Sequence, residues 1–339
     1  MTGVVAVRAR LRRRTVLVTS VLALAVLAVF LLALSMGDYP IGVPDVLGAL
    51  TGQGSVATHY VVVRLRLPRA LLGLLVGVAF GLAGVIFQRL LRNPLASPDV
   101  IGLSAGSCVG AVICLLVFGA SGLVLPASAL AGGLLTGVLI YLLAWRRGVT
   151  GYRFVLTGVV VSSALMGVVS YVMTRADVRL ASVMLLWLSG SLNGADWADV
   201  RTLGVFLVVL VPLALLLGRM LPVLQLGNDH AAGLGLRVER SRLALLAVAV
   251  GLTAVATAVC GPVAFVAFVS GPIASRLLRT GRPGLLAAAL VGALVTLVAD
   301  FVAQHLLGGT KLPVGVVTGA VGSPYLLYLM ATANRGART

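Results

Sequence analysis

Long apolar runs follow one another almost from end to end of the chain, separated by short clusters of arginine, glycine and proline. A helix needs about 20 apolar residues to cross the hydrocarbon core of a bilayer, and the runs have that length. A membrane barrel would alternate polar and apolar positions over segments of about ten residues, a pattern missing here. Backbone amides in lipid must be satisfied within their own element, so the runs predict spanning helices. Ten are expected, at 16–36, 68–88, 100–118, 123–145, 154–174, 198–218, 243–260, 262–278, 285–307 and 313–331. The seventh and eighth meet at Gly261-Pro262, where one kinked helix would reduce the count to nine.

Basic residues decide between the two counts, because cytoplasmic loops collect Lys and Arg. With ten spans and an inside N-terminus, seven of the 26 basic residues fall outside (Arg64, Arg66, Arg69, Arg175, Arg179, Arg201 and Lys311), leaving 26 − 7 = 19 inside. Nine spans would put the basic C-terminus, with Arg335 and Arg338, on the wrong side. The expected fold is therefore an all-α polytopic membrane protein with ten transmembrane helices and both termini cytoplasmic. It comprises a basic tail over 1–15, a single transmembrane domain over 16–331 with a long cytoplasmic loop at 221–242, and a short tail over 332–339. Arg8, Arg10, Arg12, Arg13 and Arg14 ahead of Val16–Leu34 have the order of a signal peptide. The apolar run is too long for one and no clear A-x-A site follows, which predicts an uncleaved first helix.

Composition agrees: 60% of the 339 residues are hydrophobic and 10% charged, too little polar surface for a soluble globule. The formal charge of +17 would suit a nucleic-acid binder only as a continuous water-facing stripe. Here the cations punctuate apolar runs, so lipid is the expected environment and no nucleic-acid partner is implied. Cys108, Cys114 and Cys260 lie in apolar surroundings without CxxC spacing and read as small core residues, with no disulfide, metal or cofactor. Gly73, Gly77, Gly81 and Gly84 recur three or four apart on one helical face, the spacing that lets membrane helices approach closely.

Several chemistries are excluded or disfavoured. A phosphate-binding loop needs Gly-Lys followed by Ser or Thr, yet the single lysine, Lys311, precedes Leu312. The chain carries no ATPase of that type. Gly102-Leu103-Ser104-Ala105-Gly106 matches a serine nucleophile motif formally, but it opens a predicted membrane helix instead of a strand-to-helix turn. Close packing is the better reading, and no enzyme is expected. Asp300 is the acidic residue well inside a span; bracing neighbouring helices suits it better than ion binding.

Arg66-Leu67-Pro68-Arg69, then Gly84-Val85-Ile86-Phe87-Gln88 and Arg92-Asn93-Pro94-Leu95-Ala96-Ser97-Pro98-Asp99, resemble the FecCD-type permeases of ABC importers for iron siderophores, heme and cobalamin. Later segments agree in order: Leu234-Gly235-Leu236-Arg237-Val238, Gly261-Pro262-Val263-Ala264-Phe265-Val266 and Leu312-Pro313-Val314-Gly315-Val316-Val317-Thr318. The resemblance implies a permease subunit passing a ferric siderophore, or a related metal chelate, into the cytoplasm. It further implies a second permease subunit, with a heterodimer favoured, two cytoplasmic ATPase subunits and an extracytoplasmic binding protein, in the bacterial plasma membrane. Two departures stand out: Ser270-Gly271-Pro272 where relatives often have Pro-His, and Lys311 in place of Glu. A stand-alone ion-coupled carrier is the alternative.

Each motif then acquires an expected role. Arg66 and Arg69, cations at an outer mouth, would dock acidic residues of the binding protein. Asn93, Pro94 and Leu95 follow a helix that the proline cannot continue, and would form a cytoplasmic gate. Within 221–242, Leu226, Gly227, Ala231, Ala232, Leu234 and Gly235 would ride on the ATPase as a short amphipathic element. Gly261 and Pro262 would break a helix at an outer gate.

Overall fold

Helix is the sole regular element among the described residues, which in this computed structural model are 2–37, 39–119, 122–145, 151–279, 284–305 and 312–336. Helix α1 spans Thr2–Ser35, followed by short helices α2 (Val43–Leu50) and α3 (Val56–His59). The latter runs through a π-helical stretch, Tyr60–Arg66, into α4 (Leu67–Leu90). Pro68 falls in the first turn of α4, where a missing N–H costs little. Next come α5 (Leu103–Phe118), α6 (Val124–Ala144), α7 (Gly151–Arg175), α8 (Val178–Leu188) and α9 (Trp197–Leu217). Two short helices, α10 (Leu221–Leu224) and α11 (Asn228–Gly233), precede α12 (Val238–Cys260), α13 (Val266–Leu278), α14 (Leu285–His305) and α15 (Val314–Gly336).

Every one of the ten expected runs coincides with a helix: α1, α4, α5, α6, α7, α9 and α12 to α15. Seven described helical stretches are long and apolar enough to cross a membrane; Leu103–Phe118, Val266–Leu278 and Val314–Tyr328 are apolar but shorter. Residues 2–15, expected as a tail, already belong to α1, and α15 continues to Gly336. One apolar helix was not expected. α8 has only 11 residues, well below a spanning length, so a search for long runs passes over it. Asp177 caps it by accepting the Leu180 N–H at 2.7 Å, and Met184 anchors it in the interior.

Helix α4 is the central post. Its most apolar stretch is 78% buried and that of α12 72%, against 11% for α1, which therefore lies at the periphery. Exposed Leu135 and Val138 of α6, Val160 of α7, and Val205 and Val208 of α9 give the outside an apolar skin suited to lipid. The glycine stripe explains how α4 seats its neighbours. A Cβ at Gly77 would collide with the Gly292 carbonyl, and one at Gly81 with the Ala288 carbonyl, so α4 and α14 meet backbone to backbone. Gly84 makes the same approach to Ala267 of α13.

Candidate functional site

At the start of α4, two arginines turn back into the chain. Arg66 NH1 donates to the carbonyls of Leu34 (2.8 Å) and Ser35 (3.0 Å), and NH2 to that of Tyr39. A guanidinium here satisfies the orphan carbonyls at the end of α1 and complements the negative end of its dipole. Arg69 grips Asp300 of α14: Nε lies 3.0 Å from Oδ2, and NH2 2.8 Å from Oδ1. Gln304, one turn further along α14, donates to the same Oδ2 at 2.7 Å. Asp300 thus braces two helices, as its place inside an apolar run suggested. Arg66, Arg69, Asp300 and Gln304 line a cavity of about 250 Å³ that Met36, Tyr39 and Leu65 complete.

The other end of α4 closes on the loop of residues 91–102. Asn93 N–H returns to the Gln88 carbonyl (3.0 Å), placing Arg92 in a left-handed conformation at φ +52°. Asn93 Oδ1 then accepts the Leu95 N–H at 2.9 Å, and the Asn93 carbonyl that of Ala96 at 3.1 Å. Asn93, Pro94 and Leu95 are thereby brought into one tight turn, with Pro94 exposed. Arg92 reaches across to the Leu224 carbonyl at 2.9 Å, joining this turn to α10.

The stretch expected to meet an ATPase has two faces. Ala231 is fully buried, whereas Leu226 is 54% and Leu234 67% exposed. Gly227 precedes α11, and Ala232 and Gly235 follow Ala231 at its end. There the Leu236 N–H bonds the Ala231 carbonyl (3.0 Å) and the Gly235 N–H the Ala232 carbonyl (2.8 Å). This double closure requires a left-handed residue, and Gly235 supplies it at φ +83°. Arg242 on α12 bonds Asn228 (3.2 Å) and Glu239 (2.9 Å), fixing α11 against α12.

The helix break is real and rests on the turn that follows α8. Residues 261–265 are non-helical, with Gly261 at φ +74° and Phe265 at φ +66°. Ser191 N–H bonds the Cys260 carbonyl at 2.8 Å, and Gly315 N–H bonds the Gly190 carbonyl at 3.0 Å, so the end of α12 and the start of α15 share one support. Beside them Asp99 accepts the Ser104 hydroxyl at 2.7 Å. A cavity of about 410 Å³ opens here, lined among others by Asp99, Ser104, Ser162, Met166, Ser189 and Pro262. Asp99, the last residue of the motif Arg92–Asp99, was given no role in the sequence analysis. Ser104 does more than pack, since it holds that acid. The glycines of the serine motif do pack: a Cβ at Gly106 would meet the Gly132 carbonyl of α6 at 2.6 Å.

Among the described residues, no group of three or more His, Cys, Asp and Glu is placed to hold a metal. Cys108, Cys114 and Cys260 are free and buried. Lys311, Arg146, Arg147, Arg282 and Arg338, which entered the charge count, lie outside the described residues.

A lipid-facing skin around a glycine-seated post, with bonded turns at each end and a broken helix, is the architecture of an all-helical membrane protein. The chain belongs to the FecCD transport family, whose model matches residues 24–332. It is 40% identical to the ferric enterobactin transport system permease protein FepG of Escherichia coli, over 95% of this chain and 98% of that one. It is 34% identical to the iron(3+)-hydroxamate import system permease protein FhuG of Bacillus subtilis, again over 95% and 98%. A solved metal-chelate type ABC transporter in an inward-facing conformation superimposes with a TM-score of 0.83 at 26% identity, covering 93% of this chain and 98% of that one.

Proposed function

We propose that the chain is the permease subunit of an ABC importer that carries a ferric siderophore, or a related metal chelate, into the cytoplasm without altering it covalently. The observation that carries this reading is the 40% identity to FepG over nearly the whole of both chains. In this reading the ten helices coinciding with the ten apolar runs cross the bacterial plasma membrane, with both termini cytoplasmic. The arginine bias of the loops supports that orientation. The single domain over 16–331 shares its path with a second permease subunit. It is driven by two ATPase subunits and supplied by an extracytoplasmic binding protein.

The site residues divide accordingly. Leu226 and Leu234 offer apolar contact to the ATPase, while Gly227, Ala231, Ala232 and Gly235 shape the element that presents them. Asn93, Pro94 and Leu95 form the cytoplasmic gate, and Gly261 and Pro262 an outer one. Arg66 serves docking through its positive charge and Arg69 by fixing the outer surface, since both guanidiniums are already engaged within the chain and that of Arg69 is balanced by Asp300.

Uptake of radioiron into vesicles tests the reading. The chain is reconstituted with its ATPase and binding protein and offered ferric catecholate, hydroxamate and citrate complexes. ATP-dependent accumulation of one of them is expected. Accumulation driven by an ion gradient without the ATPase would establish the competing reading, a stand-alone ion-coupled carrier. Such carriers keep ionisable groups along the ion path. Asp300, the acid well inside a span, is neutralised by Arg69, which favours the importer.

A further inference from the structure

Helix α2 has three unlike sides. At about 100° of turn per residue, Val43, Leu47 and Leu50 fall within about 60° of one another. All three are 42–52% exposed. Val46 and Ala49, next round the helix, are buried and share a cluster with Leu34 of α1 and Val62 of the π-helical stretch. His59 Nδ1, 3.1 Å from the Ala49 carbonyl, ties α2 to α3. The third side, opposite the exposed aliphatic one, carries Asp45, which is exposed, and Gly48. The polar turn of residues 51–55 folds back here, with Gln53 N–H on the Gly48 carbonyl at 2.7 Å.

The level of α2 along the molecule follows from α1. Arg14 NH2 bonds the Leu277 carbonyl at the end of α13, which marks one boundary of the bundle. From Arg14 to Ser35 helix α1 rises about 32 Å, close to the thickness of a hydrocarbon core of about 30 Å. Its last turn therefore stands at the opposite boundary, and α2, packed on Leu34, lies there too. The aliphatic side of α2 also continues the apolar skin of α1: Leu24, Leu27 and Leu32 are exposed, followed by Met36 and Tyr39. Tyr39 and Tyr60 both reach the surface, and tyrosine favours the headgroup level.

From this geometry we infer that α2 lies flat in the outer leaflet of the bilayer, with Val43, Leu47 and Leu50 among the acyl chains, Asp45 and Gly48 toward water, and Val46 and Ala49 on the protein. Helices of this kind bury their apolar side at the boundary of headgroups and acyl chains. Phospholipid suits the face better than the binding protein does. A partner drawn to Arg66 is acidic, and Asp45 at the edge of α2 repels acid. Arg66 also holds the Tyr39 carbonyl, so a segment seated in lipid steadies one wall of the outer cavity. That this leaflet is the extracytoplasmic one rests on the orientation proposed above; the seat in lipid rests on the three sides of the helix.

Nitroxide labels on Leu47→Cys and on Asp45→Cys test the seat, in the full chain reconstituted into vesicles of phosphatidylcholine and phosphatidylglycerol. The native cysteines are buried and leave the label to the new thiol. Relaxation by dissolved oxygen should exceed that by a water-soluble nickel chelate several-fold at 47 and fall below it at 45, with 47 placed about 5–10 Å inside the headgroups. A chelate that reaches 47 as freely as 45 overturns the proposal. So does a label at 47 that neither reagent reaches, which would mean that a second copy of the chain covers the face. Loss of oxygen access at 47 on adding the binding protein would make the face a protein-docking surface and overturn it as well. A chelate that reaches 45 only from the cytoplasmic side would reverse the orientation and leave the seat in lipid standing. Absence of ATP-driven uptake by the complete complex would sink the importer reading and leave the labels to decide the seat.

Discussion

Arg69 and Asp300, 231 residues apart in the chain, form a forked ion pair in which Nε and NH2 of the arginine engage both carboxylate oxygens at 2.8–3.2 Å. Both side chains are largely withdrawn from water, at 14% and 6% exposure. Removing one partner leaves a buried charge uncompensated, at a cost of about 3–5 kcal/mol. Arg69→Ala should therefore lower the thermal midpoint of the detergent-solubilised chain markedly, and Asp300→Asn nearly as much. Joint replacement by apolar residues should recover part of the loss. Melting curves of the four proteins check this, and an additive double variant would show that the pair does not act as one.

The contact of α4 with α14 has no slack. Gly81→Val inserts three carbons against the Ala288 carbonyl, and overpacking of this kind costs about 1–3 kcal/mol or more. A drop in melting temperature and in recovered protein is expected. Gly204→Val serves as the contrast, because nothing lies within 4 Å of a Cβ there.

For the partner-facing segment, exposure sorts the residues. Leu234→Asp alters a side chain that is 67% exposed and should abolish association with the ATPase in a pull-down while leaving the melting temperature within about 1 °C. Ala231→Trp alters a fully buried position and should destabilise α11 itself. Equal association by the Leu234 variant would remove this segment from the interface.

At the opposite end, Arg66→Glu places a like charge among the carbonyls that end α1. It should weaken capture of the binding protein, and the deficit should grow as ionic strength falls, since unscreened repulsion is strongest there. A deficit independent of salt would mean that Arg66 acts only by closing α1.

Labelling of thiols gives an inexpensive check on the packing. Cys108, Cys114 and Cys260 are all buried, so a maleimide should modify the folded chain hardly at all and all three after denaturation.

Much of the fold was legible because lipid imposes a length on every crossing element. Each of the ten apolar runs coincides with a helix, and Arg237, just ahead of α12, with Arg240 and Arg242 in its first turns, marked one end of it. α8 escaped because 11 residues satisfy no such rule; its existence depends on Met184 finding a pocket built by other helices. The site was legible where a motif is local, as with the turn at Asn93-Pro94 or the helix end at Gly235. It was opaque where chemistry depends on distant partners. Nothing near Arg69 in the sequence announces Asp300, and nothing near Arg92 announces Leu224. Asp99 stood in plain view at the end of a motif, but the cavity it lines with Pro262 and Ala264 is assembled by folding alone.

The glycine seam between α4 and α14 has a kinematic corollary. Side chains that interdigitate can swap rotamers and let helices slide, whereas two backbones in direct contact have nothing to rearrange. The pair is built to travel as one stave, so any rocking of the molecule has to be taken up elsewhere.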